Sequence, residues 1–296
     1  FNWSLPDLND DTLTRVEELR AGRRAMALVD IGQHHRADAE LRNIDLKKHS
    51  GAGRALLAFA QTHGLSSFSM KYANTYRAPG GHLYDGALYP VPIWEPRDGF
   101  QLDRALLYAF MRQESRFNPL AENPSGATGL MQIMPSTANY VMGSRKFAGR
   151  LGRHLLKNPQ THLSIGQSYL SRILNKHYVD GDLVAMSVAY NAGPGNLRKW
   201  RDSSGMSTQD PLLFIETIPA AETRAFVERV LRNLWIYRIR MGQDTPTLRA
   251  LASGMPAKYA ALDGRGGSSA MAMAGGSSRS ADRQVQRDAV PAWQRQ

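Results

Sequence analysis

The segment from Gln113 to Pro135, QESRFNPLAENPSGATGLMQIMP, constrains the fold more than any other part of the chain. It places a single carboxylate, Glu114, at the end of an apolar stretch with helical spacing. Asn118–Pro119 should break this helix, because the residue before a proline is biased away from the helical conformation. Gly126 and Gly129 then permit tight backbone bends and the close approach of a ligand. We therefore predict a helix, a break and a shaped loop next to one acid.

Most of the remaining chain also has helical patterns, so the predicted fold class is mainly α. Asn158 before Pro159 is typical of a helix start, and that helix is predicted to end at Asp180–Gly181. Asp182 is expected to cap the next helix, and a final long helix is predicted from about Ala221 to Arg240. Only the loop around Ser125–Met134 leaves room for a small hairpin.

Composition divides the chain into four regions: helical hairpins over 1–76, a Pro/Gly-rich connector over 77–99, a core domain over 100–245 and a low-complexity tail over 264–296. The connector contains Tyr84, Tyr89 and Trp94, which would be costly in a free linker, so we expect it to pack across the core domain. The tail is predicted to be disordered, with a weak contact to an acidic surface as the alternative.

Two segments of the first region resemble each other: ALVDIGQHHRADAEL from Ala27 and ALLAFAQTHGLSSFSM from Ala55. They suggest two helical-hairpin units at the end of a solenoid, and plain helix pairs with a coincidental similarity are the alternative. Two units cannot bury a continuous face alone. A solenoid would therefore need either more chain before Phe1 or docking onto the next domain.

The net charge of +11 and the pI of about 10.0 favour an anionic partner such as nucleic acid, anionic lipid or an acidic polymer. The basic residues are spread over several helices, with no run typical of a nucleic-acid-binding arm. A generally basic, soluble surface is the simpler interpretation.

The chain has no cysteine, which excludes disulfides, thiolate catalysis and cysteine-based zinc sites. The eight histidines are scattered without HExxH spacing, so we expect no metal and no cofactor. The apolar runs are too short for a membrane span. Phe1 is not an initiator Met and no leader follows it, so we expect a processed or partial chain from which any export signal is missing.

Glu114 is the strongest candidate for chemistry. A surface glutamate near a helix C-terminus is the alternative, but the helix dipole disfavours an acid there. Its helical neighbours, Phe110 and Met111, are apolar, and an apolar environment keeps a carboxyl protonated at neutral pH. We expect its pKa to be raised, toward roughly 6–7 for an acid that must also act as a base.

Three further segments carry candidate site residues. In GATGLMQIMP, Gln132 could donate its amide to a sugar, whereas Met131 is better explained as a core residue. In AYNAGPG, Tyr190 and Asn191 stand at a helix end next to a turn, which suits carbohydrate, although a core tyrosine is the alternative. In FIETIPAAETR, Glu222 could instead stabilise the first turn of the last helix.

Together, ES-F-NP, GATGLMQIMP, AYNAGPG and FIE-IP-ETR occur in the order and spacing that resemble the catalytic domain of the soluble lytic transglycosylases of bacteria, the goose-lysozyme-like group. The match covers about Leu88 to Gly242. It implies a lysozyme-like α+β catalytic domain after a superhelical region. One departure is visible, because the family usually has an Asn-Ile segment where this chain reads THLSIGQSYL. That departure affects local contacts and leaves the chemistry untouched.

The resemblance implies cleavage of the MurNAc–GlcNAc bond of peptidoglycan without water. Glu114 would protonate the glycosidic oxygen, the N-acetyl carbonyl of the substrate would stabilise the cationic sugar, and Glu114 would then deprotonate the C6 hydroxyl that attacks C1. The product would be a 1,6-anhydro sugar. Tyr190 would stabilise the reacting ring. The residues that the resemblance assigns to the sugar groove are Gln132, Met134, Ala189, Tyr190 and Glu222, with Ser115 and Asn123 as secondary candidates.

Peptidoglycan strands are the implied partner, in the periplasm or cell envelope of a bacterium, together with cell-wall synthesis or secretion machinery; nucleic acid is not expected. A hydrolytic lysozyme of the same fold and a non-catalytic peptidoglycan-binding structural module stay open. A nucleic-acid-binding helical protein is disfavoured, since no clustered basic groove with stacking aromatics is present.

Overall fold

The computed structural model describes residues 1–78, 80–203 and 210–263. Within these ranges the chain forms α-helices and almost no strand, as the mainly α prediction required. The only pairing in the loop expected to hold a hairpin consists of single bridges, Glu122 with Thr128 and Thr128 with Ile133. The prediction of a disordered tail over 264–296 lies outside the described residues.

Five helices and a short 3₁₀ turn, Ser50–Ala52, form the N-terminal part. The helices are α1 Asp10–Glu17, α2 Arg20–Asp30, α3 His34–Arg42, α4 Gly53–Thr62 and α5 Ser66–Tyr72. They share a hydrophobic cluster of their own that includes Leu41, Phe59 and Phe68. The buried carboxylate of Asp38 on α3 accepts the backbone N–H groups of Ser67 and Phe68 at 2.9 Å each, which fixes the start of α5 against α3.

Among its described residues the connector contains one short helix, α6 Asp85–Leu88, and is otherwise irregular. Tyr84, Tyr89 and Trp94 are all buried. The ring of Tyr89 lies between Tyr237, at 5.5 Å between centroids, and the guanidinium of Arg112, at 4.1 Å. Because these aromatic rings are buried against the protein, they avoid the cost of exposure to water that they would have in a free linker.

In the described residues after the connector the structure has nine helices, namely α7 Arg104–Ser115, α8 Pro135–Met142, α9 Gly149–Leu156, α10 Pro159–Leu174, α11 Leu183–Asn191, α12 Pro194–Ser203, α13 Pro211–Thr217, α14 Ala221–Arg240 and α15 Pro246–Ala252. The caps at Asn158 and Asp182 and the bounds of α14 agree with the sequence prediction. Two features differ. α10 ends at Leu174, and a turn follows in which Asp180 takes a left-handed conformation. α14 is not the last helix of the described chain, because α15 follows it.

The largest helix–helix contact in the described chain is between α7 and α14. It is fixed at one end by a buried ion pair, in which Arg238 of α14 lies 3.0 Å from Asp103, the N-cap residue of α7. Asp103 also accepts the backbone N–H groups of Leu262 and Asp263, at 2.9 and 3.0 Å. One carboxylate therefore joins the start of α7, the end of α14 and the last described segment.

No helix in the described ranges is both long and apolar enough to cross a lipid bilayer.

We expect Asp103→Asn to lower the free energy of unfolding by about 3–5 kcal/mol, because it leaves the Arg238 guanidinium buried without an opposing charge. Urea unfolding monitored by circular dichroism measures this loss. The control is Asp244→Asn, which breaks the exposed pair with Arg249 and should lower the free energy of unfolding far less, because solvent screens that pair. Equal losses in the two variants would contradict the anchoring role of Asp103.

Candidate active site

Glu114 lies in the last turn of α7, and the chain leaves that helix abruptly. Arg116 and Phe117 both take left-handed backbone conformations, with φ of 51° and 62°, and the Phe117 side chain is fully buried. The sequence predicted a break at Asn118–Pro119, but the helix breaks earlier, at Arg116 and Phe117. Such conformations are unfavourable for L-residues with side chains and are concentrated at functional sites.

Burial, and then the negative charge of Glu222, raise the pKa of the Glu114 carboxyl to about 8. Phe110 and Met111, one turn earlier, are completely buried. Across residues 1–78, 80–203 and 210–263, no hydrogen bond or ion pair to this carboxyl is found. The direction of the shift and its main cause agree with the expectation from the sequence, whereas the contribution of Glu222 was not foreseen.

The loop from Gly126 to Pro135 lies beside the end of α7 and folds onto itself. Thr128 and Ile133 exchange backbone hydrogen bonds of 3.1 Å, and Gln132 has a φ of 46°. The amide nitrogen of Gln132 donates to the carbonyls of Gly129 and Ala121, at 3.0 and 3.3 Å. In this conformation the amide maintains the loop, and its contact with a sugar stays a prediction.

Three side chains from three helices hold the centre of this loop. Ser115 donates its hydroxyl to the Leu130 carbonyl at 2.7 Å, and Tyr190 donates to the Met131 carbonyl at 2.5 Å. The Nε2 atom of His162 accepts the Met131 N–H at 3.0 Å. The loop is thereby fixed to α7, α11 and α10 at two consecutive residues.

His162 is fully buried, and its Nδ1 lies 2.9 Å from the Leu156 carbonyl, to which it donates. Nε2 must then be unprotonated, so the ring is neutral, and burial lowers its pKa to about 4. A Cβ atom added to Gly129 would lie 2.5 Å from this ring, and Gly129 has a φ of 81°. Both space and backbone conformation therefore require glycine at that position.

Tyr190 lies between the loop and α14. Its ring is parallel to that of Phe226, with centroids 6.2 Å apart, and meets Phe110 edge-on at 4.8 Å. Burial, and then the negative charge of Glu114, raise the pKa of Tyr190 well above its ordinary value. The phenol therefore stays neutral next to the acid. The neighbouring residue, Asn191, accepts a 2.6 Å hydrogen bond from Thr223, which ties the end of α11 to the start of α14.

The remaining sequence candidates surround this centre. Glu222 is in the first turn of α14, and Ala189 is buried in α11. Met134 is 37% exposed at the start of α8. Asn123 lies in the exposed turn before the loop, where its side chain accepts the Ala127 N–H at 2.9 Å. No hydrogen bond in the described chain joins Asn123 to Glu114, and the hydrogen bonds of Asn123 shape the turn.

The residues that the structure describes contain no group of three or more His, Asp or Glu side chains placed to hold a metal ion. The site instead offers one acid without a partner in the described chain, a shaped loop and a neutral phenol. Such a site can transfer a proton to and from a bound neutral ligand.

Residues 92–212 match the family model described as transglycosylase SLT domain. This part of the chain is similar to that domain. The soluble lytic murein transglycosylase of Escherichia coli K12 is 39% identical over 150 residues, which are 51% of this chain and 23% of that relative. The chain thus spans under a quarter of that relative's length.

Solved structures agree with the mainly helical fold. The 70 kDa soluble lytic transglycosylase of Escherichia coli covers 83% of this chain, with a TM-score of 0.62 and 24% identity, and 39% of that chain is matched. An inactive Glu-to-Gln variant of lytic transglycosylase Slt from Pseudomonas aeruginosa covers 81%, with a TM-score of 0.57 and 28% identity, and 38% of that chain is matched. The N-terminal helices are thus part of the shared fold.

His162 is the site residue that the sequence alone did not reveal. It stands in the segment THLSIGQSYL, which was interpreted as a departure affecting only local contacts. Those contacts include the centre of the candidate active-site loop. A lone histidine among apolar helix positions was the available signal, but its partner lies 31 residues away in the chain.

We expect the contribution of His162 to the stability of the protein to decrease as the pH falls from about 6.5 to about 4. In this window the unfolded chain takes up a proton at residue 162 and the folded chain does not. His162→Asn removes this proton uptake. The free energy of unfolding of this variant should therefore depend less steeply on pH than that of the wild type, by the contribution of one proton. Urea unfolding between pH 4 and pH 7.5 measures the slopes. The exposed His154→Asn is the control, and identical slopes for wild type and His162→Asn would contradict the assignment.

Proposed function

We propose that this chain cleaves the β-1,4 bond between MurNAc and GlcNAc in peptidoglycan without using water, and forms 1,6-anhydroMurNAc ends. The observation that carries the proposal is the carboxyl of Glu114, which is largely buried beside the loop, has no hydrogen-bond or ion-pair partner among the described residues and has a pKa raised to about 8. Such a group is protonated at neutral pH, and protonation of the leaving oxygen is the first requirement for glycosidic cleavage.

In the proposed mechanism Glu114 acts twice. It first gives its proton to the glycosidic oxygen, while the N-acetyl carbonyl of the substrate stabilises the positive charge that develops at C1. The resulting carboxylate then takes the proton of the C6 hydroxyl as that oxygen attacks C1. The C1–O bond to the leaving sugar breaks, the C1–O6 bond forms, and the proton returns to Glu114. One carboxyl suffices because the substrate supplies its own nucleophile.

The surroundings of Glu114 support this cycle. The C-terminal end of α7 and the charge of Glu222 both oppose the carboxylate, so the protonated form is restored after each turnover. Ser115 and Gln132 maintain the loop on which a glycan would lie, and Tyr190 stays neutral beside the reacting centre. Met134 and Ala189 are proposed to line the sugar groove, and Asn123 to shape the turn that leads into it.

The relatives support the same substrate. The Escherichia coli relative is named a murein transglycosylase, and the Glu-to-Gln variant of the Pseudomonas aeruginosa enzyme is described as inactive. The net charge of +11 suits an anionic polymer. We infer from this substrate that the chain acts in the periplasm or cell envelope of a bacterium. A partner in cell-wall synthesis or secretion stays a prediction.

Hydrolysis is the second candidate function, because Glu222 is a carboxylate close enough to raise the pKa of Glu114. A hydrolase could use such a group to activate water. The products separate the two reactions, since a transglycosylase product is one water lighter than the hydrolytic product.

We expect mass spectrometry of purified sacculi digested with the full chain to find anhydro-muropeptides. Glu114→Gln should still bind glycan but lose about 10²–10⁴-fold in turnover, the usual contribution of a general acid–base group. Glu228→Gln, on the exposed face of α14, is the matched control and should keep wild-type turnover. Wild-type turnover by Glu114→Gln would eliminate this residue as the acid, and products that contain the added water would identify a hydrolase.

A further inference from the structure

A second concave surface adjoins the candidate active site. It has a volume of about 450 Å³ and lies between α8, α10 and the start of α12. Its walls carry the rings of Tyr140, Tyr169 and Tyr178, and its charged residues are Arg172 and Lys176. We call this surface the tyrosine groove.

The tyrosine groove is continuous with the surroundings of Glu114. Ala189, which lines it, directly precedes Tyr190, and the Tyr169 and Tyr190 rings lie 5.4 Å apart. Ser136 and Thr137, at the start of α8, bring two hydroxyl groups to its edge immediately after the candidate active-site loop. A polymer bound at Glu114 could therefore extend into the groove without leaving the protein surface.

The charges of the groove have one sign. Both charged lining residues are cations, and no carboxylate from the described part of the chain lines this surface. Arg172 donates one N–H to the Val141 carbonyl at 3.0 Å and lies 5.6 Å from the centre of the Tyr140 ring, so its guanidinium is held on the α8 side of the groove. Its other N–H groups have no partner in the described ranges, and neither has the ammonium of Lys176.

A simpler explanation is that cations near the end of α10 balance the helix dipole. That role accounts for the charge but not for the arrangement. A dipole is balanced equally well by side chains that point into open solvent, whereas here the two cations border a cavity with three tyrosine rings and two hydroxyl groups. Rings and hydroxyls are what a sugar face requires, and unpaired cations are what a carboxylate requires.

We propose that the tyrosine groove binds a carboxylate on the lactyl substituent of a MurNAc residue, with Arg172 and Lys176 as its ligands and the tyrosine rings against the sugar. This inference rests on the proposed function, because it takes peptidoglycan as the polymer. The carboxylate has two possible sources. Peptide-free MurNAc carries it on the lactyl group itself, and peptide-bearing MurNAc carries it on the stem peptide, since the lactyl carboxyl is then an amide.

Binding of three glycan fragments to the full chain tests this proposal. The fragments carry a stem peptide, a free lactyl carboxylate or a lactyl carboxamide without charge. Isothermal titration calorimetry compares Glu114→Gln, which is used to prevent turnover, with the same chain carrying Arg172→Ala and Lys176→Ala. The control chain carries Arg20→Ala and Arg54→Ala in place of that pair, because these exposed residues remove the same charge from α2 and α4.

We expect the groove variant to bind a carboxylate-bearing fragment about tenfold more weakly or worse, as for the loss of a charge-assisted hydrogen bond, and to bind the carboxamide fragment as before. A loss with the peptide fragment alone identifies the stem-peptide carboxylate, and a loss with the peptide-free carboxylate identifies the lactyl group. Lys176→Ala alone, which removes no hydrogen bond of the described chain, should give a smaller loss in the same direction.

Equal losses for charged and uncharged fragments would overturn the proposal, as would equal losses in the control chain or no binding of any fragment. The wild-type chain incubated with the same fragments reports separately on the proposed function. If it forms no anhydro product while the charge-selective loss of binding persists, the transglycosylase proposal fails and the carboxylate site stands.

Discussion

The candidate chemistry depends on the carboxyl group of Glu114, which the fold holds largely out of water without a hydrogen bond or an opposite charge in the described chain to stabilise its ionised form. Most buried acids are stabilised by hydrogen bonds or an opposite charge, whereas Glu114 has neither in the described chain and faces the charge of Glu222. Its ionised form is therefore unfavourable, and the protein must offset that cost elsewhere. An acid that is easily reprotonated is also what a cycle of proton donation and return requires.

Rigid elements around Glu114 offset the cost of holding its carboxyl group in this position. α7 is anchored at its start by the buried pair of Asp103 and Arg238, and the residue after its last turn, Arg116, is locked in a left-handed conformation. Beyond that turn, Arg42 of α3 donates to Asn118 at 3.1 Å, so the N-terminal helices also fix the exit from α7. The N-terminal helical part thus contributes to the position of the site without supplying one of its candidate groups.

The conformation of the candidate active-site loop depends both on its local sequence and on contacts with distant parts of the chain. Two of its backbone groups, at Leu130 and Met131, are held by side chains from α7, α10 and α11. Removal of one of these hydrogen bonds would leave a buried backbone group without a partner, at a cost of about 1–3 kcal/mol. The tyrosine groove begins where this loop enters α8, so the same contacts also set the edge of that surface.

The sequence predicted those features that are encoded locally. The caps at Asn158 and Asp182 and the bounds of α14 follow from residue types at fixed spacing, and the upward shift at Glu114 follows from its apolar helical neighbours. The end of α7 was placed too late, because nothing in the residue types of Arg116 and Phe117 indicates a left-handed conformation. The role of His162 and the influence of Glu222 on Glu114 depend on contacts between distant parts of the chain, which spacing in one sequence does not reveal. The roles of the individual site residues in catalysis stay predictions.

The most direct test of the account is the titration of the Glu114 carboxyl. Carbon-detected NMR of the full chain with labelled glutamate side chains, compared with Glu114→Gln to assign the signal, gives its pKa without substrate. The account predicts a midpoint well above the ordinary value of 4.5, toward about 8. A midpoint at or below 4.5 would mean that the carboxyl is ionised at neutral pH, and that result would contradict its role as the acid.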